Sequence, residues 1–419
     1  MNTTDSNSKK IGFFSFFWNA GYAGLAALQS ALLLFVAART LEQTDAGIIT
    51  IGFTIANLLM IVAIYGMRNY QVTDTNENFS FTDYFYCRLF SVPVSLLAAI
   101  IFTVVMTFLG KYSPYKTVII IEITALKLVD AFENLYVGRL QQKGRLDIGS
   151  RIATIRLGVS TVVIGVAMIL THSCPISFAV GLVVSVILDV LMLPSCKKYA
   201  DIKLRAIDKI QTKKLIKLGI TLCVGTALHN YIGNAPKYIV DIFISDDILQ
   251  AKIGYVMLPM FVITLLNTFI MQPAIKSLGD VWNSGDYRKF RKMILRHTVI
   301  ILALSLVVLI AGVFIGLPLL TVLYKMDLSE YKAVFCLLFA GGAVYTLSAY
   351  FLVLLTTVRK QKIIVAGCVV TVLIYAIFGK IFLNAMDVLG VAVLYIIANL
   401  ILLGIFSLGL FKNKSRSAA

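Results

Sequence analysis

Long apolar runs recur along the whole chain of 419 residues. A run of about 20 apolar residues is what an α-helix needs to cross a bilayer. Helices suit such runs because backbone amides that face lipid must be paired within their own segment. Only 14% of the residues are charged, against about a quarter in an ordinary soluble domain. We therefore predict an all-α polytopic membrane protein.

Charged and turn-rich breaks divide the chain into twelve predicted transmembrane helices. The first apolar run is too long for the core of a signal peptide, so we expect it to remain as a span. The predicted spans are 12–38, 46–66, 84–109, 116–137, 151–171, 176–194, 215–242, 252–271, 297–318, 332–357, 363–383 and 388–411.

The largest basic break lies at the midpoint, with six predicted spans on each side. Because six is even, both halves begin on the same face of the membrane, as expected for parallel repeats. We predict two six-helix lobes around a central cavity. The predicted divisions are an N-terminal lobe 1–194, a basic cytoplasmic linker 195–217, a C-terminal lobe 218–411 and a cytoplasmic tail 412–419.

The basic residues explain the formal net charge of +17 as a topology signal. With both termini on one side, that side receives 27 Lys and Arg and the opposite loops receive seven. The positive-inside rule then places both termini in the cytoplasm and gives no reason to expect nucleic-acid binding. The loops are too short for a catalytic domain, and the six cysteines form no C-x-x-C pair. We expect no enzyme activity, catalytic residue, metal or cofactor.

The fourth span carries an unusual set of charges, Glu122, Lys127, Asp130 and Glu133. At about 100° per residue they share one helical face, and Lys127 can pair with Asp130 three residues later. One interpretation is a self-neutralising cluster that locks the N-terminal lobe. The other is a wet cavity, the usual setting of ionisable groups at such depth, in which the acids couple transport to a proton or sodium ion.

Two arginines lie near the ends of neighbouring spans, Arg88 in the third and Arg156 in the fifth. Long basic side chains at helix ends can snorkel to the interface. If they turn inward instead, their guanidinium groups suit a phosphate, which they bind in bidentate fashion.

The seventh span has a second polar stripe, because Asn230, Asn234, Lys237 and Asp241 follow a four, three, four spacing. Pro236 removes a backbone hydrogen bond and should kink the helix there. The stripe is either a gating element or a structural kink in which Lys237 pairs with Asp241.

The first span shows a related polar stripe that includes Asn19 and Gln29. His229 in the seventh span is either a proton relay or a satisfied polar group. We expect Asn19 and Gln29 to line the same cavity as the stripe of the seventh span.

Several of these features resemble the polysaccharide transporters of the multidrug/oligosaccharidyl-lipid/polysaccharide (MOP) exporter superfamily, the Wzx-type flippases. They are the Asn-, Tyr- and Gln-bearing first span, the L-x(5)-G entry from Leu41 to Gly47, and above all PKYIVDIFISDDILQAKIGYV at 236–256. ARTLEQTD, at the end of the first span, replaces the Leu-Gly turn that is common there.

The resemblance implies a flippase that moves an oligosaccharide linked to undecaprenyl pyrophosphate between leaflets by alternating access. It also implies that Lys237 and Asp241 belong to the recurring motif of the seventh span, within a cationic cavity. Its partners would be the lipid-linked substrate, bacterial membrane lipids and a coupling ion. We expect substrate contacts from Arg88, Lys127, Arg156, Lys237, Asn19, Gln29, Asn230 and Asn234, and coupling or gating by Glu122, Asp130, Glu133, Asp241 and Pro236.

Three other functions compete with this one. A drug or cation exporter of the same superfamily would favour an acid-rich apolar pocket without arginines. A glycosyltransferase or polymerase would need a large outer loop or an acidic metal motif, and Asp246-Asp247 is the only adjacent acidic pair. A purely structural membrane subunit would have no use for buried charges.

Overall fold

The computed structural model describes residues 3–73, 77–200, 202, 204–260, 262–263, 278, 281–282 and 284–411. All regular secondary structure in these residues is helical. Nine of the described helices are long and apolar enough to cross a membrane. The chain is therefore a multi-pass membrane protein, as its apolar runs predict.

The chain forms two compact units, Met1–Ala227 and Leu228–Ala419. The division lies inside a helix, further along the chain than the basic linker predicted at 195–217. The helices of the first unit, the last of which extends into the second, are α1 (Thr3–Thr40), α2 (Gln43–Ile64), α3 (Met67–Thr73), α4 (Phe81–Phe108), α5 (Pro114–Gln142), α6 (Leu146–Thr171), α7 (Cys174–Ala200) and α8 (Lys209–Gly233).

The second unit contains helices of very different lengths, two of them interrupted or kinked. A π-helical segment, Gly312–Gly316, joins two of them. The last helix is two helices merged across a kink, where Met386 and Asp387 have non-helical backbone angles. These helices are α9 (Ala235–Phe243), α10 (Asp247–Met257), α11 (Tyr287–Ala311), α12 (Leu317–Tyr324), α13 (Lys332–Thr357) and α14 (Gln361–Phe411).

The predicted spans coincide with these helices, and the kink of α14 lies between the last two of them. The eighth predicted span, 252–271, is covered at its start by α10, and most of its remainder lies outside the described residues.

Local sequence signals set several helix ends. Ser80 accepts a hydrogen bond from the Asp83 amide, and the Asp83 carboxylate accepts one from the Ser80 amide, so the two residues form a capping box at the start of α4. Ser113 caps α5, and Pro114 occupies its first turn, where a missing N–H costs nothing. Asp246 caps α10 through the amides of Ile248 and Leu249.

An ion bridge ties the segment before α4 to the end of α5. Glu77 accepts from Lys143 Nζ at 2.6 Å and lies 3.0 Å from Arg139 Nη1. The hydrogen bonds from Lys143 and Arg139 lower the pKa of the Glu77 carboxyl. Because that pKa is lowered, the bridge stabilises the fold at neutral pH and is lost as the carboxyl takes up its proton in acid.

A close helix contact in the second unit gives a direct test of its packing. A Cβ at Gly341 of α13 would lie 2.4 Å from Cδ1 of Tyr395, a fully buried ring on α14, whereas a Cβ at Gly404 would meet nothing within 4 Å. We expect Gly341→Ala to destabilise the detergent-solubilised protein by about 1–3 kcal/mol, as overpacking does, and Gly404→Ala to leave its thermal unfolding unchanged. Equal melting curves for the two variants would contradict this packing.

Candidate functional site

Arg156 of α6 is the centre of a buried ion cluster in the first unit. Its side chain is 0% exposed, and its Nη2 donates to Asp130 Oδ1 at 2.6 Å and to Glu133 Oε2 at 2.7 Å. Its Nε lies 3.3 Å from Oδ1 of Asp189 on α7. Arg156 therefore turns inward rather than towards the interface, and it meets carboxylates from two other helices.

Lys127 extends the cluster towards α1. Its Nζ donates to Asp130 Oδ2 at 2.5 Å, the pair that the sequence spacing predicts, and to Gln29 Oε1 at 3.0 Å. The Gln29 amide in turn donates to Thr161 Oγ1 of α6 at 3.2 Å. Side chains of α1, α5, α6 and α7 thus meet in one network. We call Lys127, Asp130, Glu133, Arg156 and Asp189 the ion cluster.

The charges of the ion cluster nearly balance, with three carboxylates facing two cations. Arg68 of α3 donates to Gln141 Oε1 at 3.2 Å and is close enough for its charge to act on Glu133. Among the described residues, Glu133 Oε1 and Arg156 Nη1 find no hydrogen-bond partner. Buried charges are tolerated when they are paired, and removing one partner is costly because the other is left uncompensated.

Asp189 is the member of the ion cluster that sequence reasoning missed. It is the only acid in the apolar run of α7, and an isolated acid within a membrane span is a signal of function or of a buried partner. Sequence spacing gives pairs within one helix, whereas Asp189 meets Arg156 only through the packing of α6 against α7.

Arg88 turns inward as well, but it meets a helix end rather than an acid. Its Nη1 donates to the carbonyl oxygen of Ala63, which also accepts from Ser91 Oγ at 2.6 Å. Ala63 lies in the last turn of α2, where carbonyl groups have no partner within the helix and attract cations. Arg88 is 3% exposed and therefore caps α2.

Two other predicted residues lie apart from the ion cluster. Glu122 is half-buried, and within the described part of the chain it has no ion pair. Asn19 is exposed. Of the predicted residues in the first unit, the structure brings together Gln29, Lys127, Asp130, Glu133 and Arg156.

A cavity of about 370 Å³ lies beside the ion cluster, between α4, α5, α6 and α7. Glu133 and Asp189 reach it, and none of the described residues that line it is basic. The rest of its lining is almost wholly apolar and includes Val92, Leu128 and Phe132. It therefore combines an apolar wall with two carboxylates.

The second polar stripe lies where the seventh span breaks. α8 ends at Gly233 and α9 begins at Ala235, with Asn234 between them, so the interruption predicted from Pro236 is present two residues before the proline. The Tyr395 hydroxyl donates to the freed Gly233 carbonyl at 3.2 Å, and the Tyr345 ring fills the space beside Gly233.

Lys237 stands out on this stripe. It is partly exposed and, in the part of the chain that the structure describes, has no carboxylate within ion-pair distance. Asp241, one turn later, is 2% exposed. Asn230 and Asn234 are partly exposed, and no described residue forms a hydrogen bond with Asn230 Oδ1. An unpaired lysine within an apolar span requires water or a polar ligand nearby.

His229 is satisfied locally. Its Nε2 lies 2.9 Å from Ser348 Oγ, and its ring stacks on Tyr345 with centroids 4.5 Å apart. It is 6% exposed, which fits a satisfied polar group better than a proton relay. Among the described residues, no group of three His, Cys, Asp or Glu side chains could hold a metal ion.

Comparison with known proteins identifies the fold. No known family description matches the chain, and no curated protein sequence matches it. An inward-facing multidrug resistance MATE transporter of the MOP superfamily superposes with a TM-score of 0.68 at 12% identity over 94% of each chain. The Vibrio cholerae MATE transporter VcmN gives 0.63 at 10% identity over 99% of each chain. The lipid II flippase MurJ gives 0.61 at 15% identity over 92% of this chain and 86% of its own. The chain therefore has the twelve-helix, two-lobe fold of MOP-superfamily transporters.

The ion cluster predicts a large stability effect at Arg156. We expect Arg156→Met to lower the free energy of unfolding by about 3–5 kcal/mol, because it leaves buried carboxylates without their partner. Arg151→Met, at an exposed position of the same helix, should have little effect. The measurement is thermal unfolding in detergent. An Arg156→Met protein as stable as the Arg151→Met control would contradict a structural role of the cluster.

Proposed function

We propose that this protein is a flippase for a lipid-linked oligosaccharide carried on undecaprenyl pyrophosphate, serving surface polysaccharide assembly. The fold supports a transporter, and one of the proteins that share it is described as a lipid II flippase. The residues 236–256, which resemble the polysaccharide transporters, contain Lys237 and follow directly on the helix break.

The observation that carries this proposal is Lys237, which has no ion pair with any residue that the structure describes. A lysine ammonium in a membrane span is tolerated when water or an anion surrounds it. The neighbouring amides of Asn230 and Asn234 can donate and accept hydrogen bonds, as a sugar hydroxyl requires. A cation beside amides fits the two parts of the substrate, its pyrophosphate and its saccharide. The central cavity in which they would meet remains a prediction.

The basic residues of the first unit have other partners. Lys127 and Arg156 are bound to carboxylates, and Arg88 caps α2. We propose that the ion cluster, with Gln29 bound to Lys127, holds α1, α5, α6 and α7 together as one body that moves as a unit. The role of Glu122, Asp130 and Glu133 in ion coupling remains a prediction. It is supported by Glu133 Oε1, which has no hydrogen-bond partner among the described residues.

Movement has a natural place at the broken helix. Asn234 lies between α8 and α9, and Pro236 in the first turn of α9 cannot restore the missing hydrogen bond. A hinge there would change the direction of α9, which carries Lys237 and Asp241, relative to α8, which carries Asn230. We propose that this hinge passes the substrate head group between two orientations of the site.

The cavity beside the ion cluster favours a second candidate function, export of hydrophobic cations. Its apolar lining with Glu133 and Asp189 and without a basic residue is the kind of pocket such a substrate needs. Two of the proteins that share the fold are described as MATE transporters, one of them as a multidrug resistance transporter.

Replacing Lys237 tests the flippase proposal. In a host strain that lacks the gene, Lys237→Gln should restore surface polysaccharide at least about tenfold less well than the unaltered gene, because a lost contact to a charged group costs about 1.5–3 kcal/mol. Lys237→Arg should retain most of the activity, since it keeps the charge. The measurement is surface polysaccharide per cell together with the amount of protein in the membrane.

The matched control is Lys380→Gln, which removes an exposed lysine from the same unit. Full restoration by Lys237→Gln would contradict the proposal. Normal polysaccharide in the deletion strain itself, together with its increased sensitivity to hydrophobic cations, would favour the exporter instead.

A further inference from the structure

The first turns of α11 carry a basic face that the proposed function does not use. This face consists of Arg288, Arg291, Lys292 and Leu295. The last three lie three, four and seven residues after Arg288, so all four project from one side of the helix. All four are exposed. Together with Tyr287 they line a cavity of about 490 Å³.

This basic face has fixed neighbours. The Arg291 guanidinium carbon lies 5.5 Å from the centre of the Phe411 ring at the end of α14, a cation–π distance that limits the freedom of the arginine. Trp282 packs edge-on against Tyr287 at 5.4 Å. Aromatic side chains of this kind are enriched at the depth of lipid head groups.

The described lining of the cavity is positively charged. It has three basic residues and, among the residues that the structure describes, no carboxylate. The adjacent Asp286 accepts a hydrogen bond from the Lys289 amide at 2.9 Å and thereby caps α11. The cavity therefore attracts an anion.

An exposed apolar stripe continues from this basic face along α11. Val299, Leu302 and Leu306 lie eleven, fourteen and eighteen residues after Arg288, which keeps them on the same side of the helix. Their exposed fractions are 56%, 46% and 57%. From Lys292 to Leu302 the helix rises about 15 Å, roughly the thickness of one leaflet.

We propose that this surface is a docking site for an anionic phospholipid of the surrounding bilayer. The phosphate diester would lie among Arg288, Arg291 and Lys292, whose guanidinium groups match its oxygens. One acyl chain would follow the stripe from Leu295 to Leu306. The continuous apolar stripe is what favours a lipid over a soluble phosphate, which would need only the basic end.

The site goes beyond the proposed function, because its ligand is a lipid of the bilayer rather than the transported substrate. Lipid binding, and not transport, is therefore what tests it. An anionic lipid would bind at α11 and the end of α14 whether or not Lys237 contacts a transported substrate.

The test compares lipid binding by two triple variants of the full-length protein. Purified protein is incubated in mixed micelles with fluorescent phosphatidylglycerol or phosphatidylcholine, and bound lipid is measured per protein. The unaltered protein should prefer phosphatidylglycerol. Arg288→Gln/Arg291→Gln/Lys292→Gln should lose at least about tenfold of that preference, because each basic residue near a membrane surface contributes appreciably to anionic-lipid binding. The control Lys197→Gln/Lys198→Gln/Lys209→Gln, an equal loss of charge at exposed positions of α7 and α8, should keep it.

A second measurement uses the unaltered protein alone and so does not depend on the folding of a variant. Unlabelled phosphatidylglycerol should displace the bound fluorescent lipid, whereas inorganic pyrophosphate at the same concentration should not. If both triple variants lost the preference for phosphatidylglycerol equally, the net charge of the protein would explain that preference. This result would overturn the proposal. Displacement by pyrophosphate would overturn it too, since the surface would then be a site for soluble phosphates.

Discussion

A charge inside a bilayer must either meet an opposite charge or keep contact with water. The first unit shows the first solution, and we propose the second for Lys237. In the first unit, Arg156 meets Asp130 and Glu133 at hydrogen-bond distance. In the second, Lys237 has no such partner among the described residues and is partly exposed. The first arrangement is stable only while its helices stay packed, because separating them would leave three buried carboxylates without their cations. The second implies an open, polar surrounding.

We propose that the paired charges belong to a rigid part of the protein and that Lys237 belongs to the surface that binds substrate. The ion cluster joins α5, α6 and α7, and the hydrogen bond from Lys127 to Gln29 adds α1. Separating these helices would break those contacts. The break at Asn234 does the reverse, since it leaves the Gly233 carbonyl to Tyr395 rather than to the next helical turn. A carbonyl held by a side chain from another helix can be released more easily than one within a continuous helix. The proposed hinge therefore lies where the backbone is least constrained by its own hydrogen bonds.

The sequence allowed the helices and the local pairs to be predicted, because apolar length and three- or four-residue spacing act within one element. The Lys127–Asp130 pair and the interruption beside Pro236 are of this kind. Asp189 and the acceptor of Arg88 could not be predicted, since each depends on which face of one helix packs against another. Every residue has a backbone carbonyl, so the sequence does not indicate that the one in the last turn of α2 accepts from Arg88. The predicted polar faces of the fourth and first spans also included Glu122 and Asn19, respectively. Helical periodicity alone could not distinguish these two residues from the members that meet partners.

The most direct test of this division is the water accessibility of positions 127 and 237. Each would be replaced by cysteine, Lys127→Cys and Lys237→Cys, in a chain whose six native cysteines are changed to serine or alanine. A membrane-impermeant thiol reagent would then be applied to the protein in oriented vesicles, from either side. The account predicts rapid labelling at position 237 and little at position 127. Labelling at 127 with protection at 237 would contradict it.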